Sequence, residues 1–262
     1  TDTDTDTDTD TDTDTDTDTD TDTDTDTDTC GTPPADGWSG AGAEGSVNFT
    51  TPYTFDAGIA AVRAADPGEG ATADLSLQIS GAVISTTGYA PSGQNPDLWI
   101  EDMNGAIRTY GVTSMLPAVN GDGDSTLVPG QKVSFTVTQL KNYYGQLEIT
   151  GLSNFTVDSA GNALYAAELG AQALSYSAMP AELVHAYGQI TAEHGDCPDG
   201  STSSCYEFTH DGTTELIRIG TAKGLMEGDC VEIIAPVDYY KDDALYNDDR
   251  FQINNWDQIR WY

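Results

Sequence analysis

Two stretches of this 262-residue chain carry the same short segments in the same order, and this duplication limits the fold more than any other feature. LQISGAVIS (77–85) parallels VHAYGQITA (184–192), and DLWIEDMNGAIRTYGV (97–112) parallels YEFTHDGTTELIRIGT (206–221). LVPGQKVSF (127–135) parallels LMEGDCVEI (225–233), and LKNYYGQLEITGLSNFTV (140–157) parallels DYYKDDALYNDDRFQINNWDQIRW (238–261). The two Leu-x-x-Gly turns end at Gly130 and Gly228, 98 residues apart, close to the offset of the other pairs. One such match between Gly-rich strands arises by chance, but four in the same order point to two tandem domains of one ancestry. β-branched and aromatic runs bounded by Gly, Asn, Asp and Pro predict strands at 75–85, 96–102, 106–112, 131–140 and 145–157. Helical periodicity is scarce, and it predicts short helices only at 55–65 and 164–174.

Each copy reads as five strands. The first is long and crosses a glycine, strands two and three form a hairpin, a Gly turn precedes strand four, and a Tyr-rich loop leads to strand five. This pattern resembles the OB-fold, a five-stranded Greek-key barrel. It is similar to the OB-type modules of exported bacterial proteins, sometimes found beside extracellular nucleases. The residues that carry the resemblance are Ser80-Gly81-Ala82-Val83 and Tyr187-Gly188-Gln189-Ile190, with Gly130-Gln131-Lys132-Val133 and Gly228-Asp229-Cys230-Val231. The expected fold is therefore mainly all-β, two tandem five-stranded OB-like barrels with short helices, preceded by an extended N-terminal Thr-Asp repeat. The expected boundaries are a tail at 1–29, a linker at 30–54, a first barrel at 55–160 and a second at 161–262.

The tail alternates Thr and Asp from Thr1 to Thr29 with no apolar side chain before Cys30. It has no hydrophobic burial to offset an ordering cost of about 1–2 kcal/mol per residue. A helix would stack each Asp on another Asp four residues away. An extended chain instead places all Thr on one face and all Asp on the other, with successive hydroxyls about 6.6–6.8 Å apart, twice the strand rise. That row is a regular template for O-linked sugars on Thr1, Thr3, Thr5, Thr7, Thr9, Thr11, Thr13, Thr15, Thr17, Thr19, Thr21, Thr23, Thr25, Thr27 and Thr29. The repeat resembles the low-complexity stretches of bacterial surface proteins and the short-repeat cores of glycan-coated extracellular fibrils. The chain opens in mid-repeat without Met or a signal peptide, which reads as a mature or truncated form.

Acidity extends beyond the tail. The repeat holds 14 of the 44 acidic residues, so the remaining 233 residues carry 30 acidic against 9 basic, net −21. Such a surface repels nucleic acid and anionic membranes. No apolar run is long enough to span a membrane as a helix. The four cysteines suit an exported, disulfide-bonded chain. Cys197 and Cys205 bracket the turn-rich CPDGSTSSC loop and are paired, which leaves Cys30 with Cys230 by elimination. A zinc site is disfavoured by the long spacing, and a lipid anchor by the interior position of Cys30.

The inventory for catalysis is poor. His185, His194 and His210 are the only histidines, and no nucleophile–His–carboxylate spacing is recognisable, so no enzyme is expected. The aromatics Trp99, Tyr110, Tyr143, Tyr144, Tyr239, Tyr240, Tyr246, Trp256, Trp261 and Tyr262 lack the basic residues that single-strand binding needs, while sugar stacking needs none. Asn120, Asp122 and Asp124 have the alternate spacing of a calcium loop, but Gln131 stands at the twelfth position where a Glu is required. Calcium is thus the one cofactor candidate. Asn48 and Asn154 head Asn-x-Ser/Thr triplets compatible with N-glycosylation. The expected role is a structural protomer of an extracellular filament or a fibril-associated surface glycoprotein. Its expected partners are copies of itself and glycans. The alternative is a carbohydrate-binding OB module on a passive acidic stalk at the cell surface. A third class, the non-catalytic fragment of an exported enzyme, is also compatible.

Overall fold

The computed structural model describes residues 30–35, 38, 46–88, 95–117, 125–197, 203–220, 224–239, 249–254 and 256–262. The Thr-Asp repeat and the candidate calcium ligands Asn120, Asp122 and Asp124 lie outside them. Among the described residues, fourteen strands, one short α-helix and two 3-10 turns are arranged around two closed five-stranded barrels.

The first barrel uses β2 (Thr72–Thr87), β3 (Leu98–Asp102), β4 (Gly105–Thr109), β5 (Lys132–Tyr143) and β6 (Gln146–Ser159), after the short strand β1 (Val47–Asn48) and helix α1 (Ile59–Ala64). The ring order is β2-β3-β4-β6-β5, antiparallel except for the β4–β6 pair. The second barrel repeats it with β9 (Leu183–Asp196), β10 (Ser204–His210), β11 (Thr213–Ile219), β12 (Cys230–Tyr239) and β13 (Asp249–Ile253). Here β11–β13 is the parallel pair, and β12–β9 closes the ring. Two further strands, β8 (Ala167–Glu168) and β14 (Ile259–Trp261), extend it on β9 and β12. This is the five-strand order of the OB barrel, twice over.

Alternation builds each core. In β5, Val133, Phe135 and Val137 point inward and meet Ile79, Ile84, Ile100, Ile107 and Ile149. Helix α1 plugs this barrel with Ile59 and Val62. Its first turn is held by Asp102, whose Oδ2 accepts the N–H groups of Ala57 and Ile59 at 2.8 and 3.2 Å. In the second barrel Tyr206, Phe208, Ile217, Val231, Ile233 and Phe251 do the same work.

The paired glycines of the first strands serve different needs. Gly81 (φ 73°) sits at a bulge where β2 slips against β5. Gly188 has ordinary backbone angles, but a Cβ there would fall 2.1 Å from the Thr209 carbonyl oxygen. It is a close-approach glycine between β9 and β10.

One sequence expectation is corrected. Residues 164–174 do not form a helix; they form β7 (Leu164–Tyr165), β8 and turns. Leu164 and Ala166 donate to the carbonyls of Ser46 and Asn48, which sets β7 parallel to β1. β8 runs beside Val184 and His185 of β9. Ladder hydrogen bonds and alternate burial override the helical propensity of this Ala-rich run. Helix α1 is shorter than the predicted 55–65, beginning only after Gly58.

The stretch read as a linker is also packed. Trp38, Val47, Phe49 and Tyr53, with Phe55 just beyond them, gather on Val83, Leu164, Leu183 and Ile234. The described residues of the segment form a strap across both barrels, and the Cys30–Cys230 disulfide fastens Cys30 to β12. Cys197–Cys205 closes the β9–β10 loop, so both bridges join the cysteines that the sequence paired.

Candidate functional site

The seam between the barrels is polar as well as apolar. Trp99 of β3 is only 3% exposed and packs into the core of the second barrel with Ala106. Beside it, Arg108 of β4 pairs with Glu148 at 3.1 Å and Asp238 at 3.5 Å, and donates to Gln146 Oε1 at 2.9 Å. Its guanidinium lies over the Trp99 and Tyr110 rings. Asp238 of β12 also receives Arg250 at 3.3 Å and the Gln146 side-chain amide. Burial would raise the Asp238 carboxyl, but Arg250 and Arg108 outweigh it and hold the group below its ordinary range. Burial would lower Arg108, and Asp238 and Glu148 likewise outweigh that. Glu148 is pushed up to about 6, because burial exceeds the pull of Arg108. The result is a carboxylate of one barrel clamped by guanidiniums from both, which fixes the barrels as a unit.

Next to the seam the barrels part and leave a groove of about 390 Å³. One wall carries Arg63 of α1 and Asp66 just after it; the other carries Tyr176, Ser177, Tyr239 and Asp249. Several of these side chains are held in place. Asp66 accepts from the Asn142 side-chain amide at 2.9 and 3.1 Å and from the Gly68 N–H at 2.8 Å. Asp249 Oδ1 accepts the Tyr176 N–H at 3.0 Å. The Tyr176 and Tyr239 rings stack with centroids 5.6 Å apart. The half-buried Arg63 guanidinium makes no hydrogen bond or ion pair among the described residues. It closes on Gly105 (φ 113°), where a Cβ would lie 2.9 Å from Arg63 Nη1 and 3.0 Å from Glu182 Oε1. Glycine there leaves room for both side chains.

On the far side of Gly105, Tyr53, Glu101, Asp102, Tyr165 and Glu182 line a hollow of about 340 Å³. Burial pushes the Glu101 carboxyl up to about 8, against a 2.6 Å hydrogen bond from the Leu183 N–H.

The third hollow, about 460 Å³, lies under the strap. There His185 bridges Glu168 at 2.8 Å and Glu232 at 2.9 Å, with Phe49 stacked on its ring at 4.3 Å. Burial would lower the imidazole, but hydrogen bonds to Glu232 and Glu168 overcome it and raise the group. Arg260 pairs with Glu232 at 2.6 Å, lies over Trp38 and donates to the Pro34 carbonyl.

The residues singled out from sequence are scattered. Asn48 is structural, since its amide donates to Leu164 O at 2.9 Å and its carbonyl accepts from the Thr51 N–H at 2.7 Å. Asn154 is exposed on β6 with φ 56°. Tyr110, Tyr144 and Trp261 are exposed, Trp99 is buried in the seam, and Tyr240 and Tyr246 lie outside the described residues. Gln131, the twelfth position of the candidate calcium loop, is committed to its own turn, donating to the Thr126 carbonyl and accepting the Val128 N–H. Among the described residues, no group of three or more His, Cys, Asp or Glu could hold a metal. No helix among them is long and apolar enough to cross a membrane. Arg63, Asp66, Tyr176 and Asp249 had no marker in the sequence, because only the apposition of the two barrels brings them together.

No family model matches the chain, and no curated protein matches it. Among solved structures, the crystal structure of the tetrameric p202 HIN2 matches with a TM-score of 0.33 and 9% identity, covering 74% of this chain and 94% of that one. A likeness of that strength carries no argument about function.

Proposed function

We propose that this chain is an extracellular structural glycoprotein, the protomer of a filament or of a fibril-associated coat. In this reading the two barrels form a rigid body, and the Thr-Asp repeat is the assembly and glycan-bearing element. The observation that carries it is the Cys30–Cys230 bridge, which ties the residue ending the repeat directly to β12. A passive spacer needs no covalent anchor at its root, whereas a tail that bears load or seats on neighbouring copies gains from one. The clamped seam supports the same reading, since a subunit must hold its shape to repeat. Two disulfides suit an extracellular setting. The reading assigns no catalysis and no cofactor.

The test is intact mass of native material before and after chemical removal of O-linked sugars, with electron micrographs of the same sample. The expected result is a mass well above 27.7 kDa that maps to the tail peptide in a fibrous sample. Fibres of unchanged geometry from protein lacking residues 1–29 would refute the assembly role. A second reading, a carbohydrate-binding module on an acidic stalk, is favoured by one feature, the groove between the barrels.

A further inference from the structure

We propose that the groove between the barrels is a binding site for a neutral saccharide, centred on Arg63 and the Tyr176–Tyr239 pair. The inference deepens the second reading above and holds whether or not the chain polymerises.

The lining selects the ligand class. At about 390 Å³ the groove falls within the ~300–1,000 Å³ of small-ligand sites, and it lies between two domains, where such sites concentrate. A sugar ring has apolar C–H faces and a rim of hydroxyls that both donate and accept. The groove offers the complement: the half-buried Tyr239 ring, backed by the buried Tyr176 ring stacked on it, with Arg63 as donor and Asp66 and Asp249 as acceptors near them. The two carboxylates are already oriented, by Asn142 and the Gly68 N–H for Asp66 and by the Tyr176 N–H for Asp249. Pre-oriented polar groups lower the cost of binding.

Arg63 is the pointer. It is a half-buried guanidinium of five donors with no hydrogen-bond partner among the described residues; Glu182 across Gly105 feels its charge but makes no hydrogen bond or close ion pair with it. Adjacent hydroxyls on a sugar ring would satisfy such a fork. The other ligand classes fit less well. An anion would meet Asp66 and Asp249 in a chain of net charge −35. A cation would meet Arg63. An apolar ligand would strip water from Arg63 and return nothing.

The test uses the full chain on an immobilised panel of neutral gluco-, xylo-, manno- and galacto-oligosaccharides, with sulfated and uronic-acid oligosaccharides as anionic controls. Titration calorimetry against the best neutral hit then compares Arg63→Gln and Ser177→Trp with wild type. Ser177 is an exposed residue of the groove rim, so the tryptophan fills the space without touching the core. The expected result is binding to a neutral oligosaccharide, weakened about tenfold by Arg63→Gln, the value of one lost hydrogen bond to a charged group, and abolished by Ser177→Trp. Unfolding midpoints of the variants establish that they fold. Should Ser177→Trp fail to fold, Arg63→Gln decides alone. Undiminished binding in folded variants would overturn the groove as the site and leave a carbohydrate-binding role standing elsewhere. No binding to any neutral sugar, or binding to the anionic controls only, would overturn both.

Discussion

Glu101 offers the sharpest test of the seam. It is 3% exposed on β3 and accepts the Leu183 N–H at 2.6 Å, so it joins the first barrel to the start of β9. Burial pushes its carboxyl up to about 8 from the ordinary 4.5, with Glu182 and Asp102 adding to the rise and Leu183 and Ser85 opposing it. Below about pH 4.5 the folded and unfolded chains both hold this proton, and the group costs nothing. Between there and pH 8 the unfolded chain has released the proton while the folded chain keeps it, so stability falls by about 1.4 kcal/mol per pH unit. The loss is about 3 kcal/mol at pH 7 and levels off above pH 8. Glu101→Gln keeps the shape of the protonated acid and an oxygen for the Leu183 N–H, but cannot ionise. Urea unfolding of wild type and variant from pH 4 to 9 measures the difference directly, because the other titrating groups, Glu148 and His185 among them, are common to both. The two proteins should be nearly equal at pH 4, and the variant should be the more stable by several kcal/mol at pH 9. Parallel curves, or a variant less stable at pH 9, would refute the burial argument.

Three further outcomes are expected. Asp238→Ala should lower stability by about 3–5 kcal/mol in chemical denaturation, because it removes the buried carboxylate that Arg108 and Arg250 share and leaves Glu148 alone to balance Arg108 across the seam. Replacing Cys30 and Cys230 together with Ser should remove about 2–4 kcal/mol and open the strap to limited proteolysis between residues 31 and 49. Residues 31–262 carrying Cys230→Ser should unfold at the same midpoint as the full chain with the same substitution, since no apolar residue precedes Cys30; a lower midpoint would mean that the repeat supports the fold.

The barrels were legible because their signals are local. Alternation in KVSFTV and the Gly turns before β5 and β12 each sit within one short stretch, and the duplication shows each such stretch twice in the same order. The disulfides followed from count and loop composition. The helix expected at 164–174 failed because its partners, Ser46 and Asn48 on one side and β9 on the other, are distant in sequence. The strap was missed for a related reason. Gly and Pro made 30–54 look like a linker, although Trp38, Phe49 and Tyr53 were an aromatic density no free linker needs. Nothing in AIRTYGV distinguishes Arg108 from a solvated strand charge. Only the packing of one barrel on the other makes it a buried clamp and leaves Arg63 facing a groove.

The Cys30–Cys230 bridge has a mechanical consequence. It closes a covalent loop with a sequence separation of 200, which contains the whole first barrel and most of the second. Tension applied between the repeat and Tyr262 passes from Cys30 through the sulfurs to Cys230 and bypasses that loop. The load falls on β12, β13 and β14, where Val231 and Ile233 pair with Trp261 and Ile259. The first barrel and the groove wall it supplies would then carry no force. Reducing the bridge would put every strand of the chain in series.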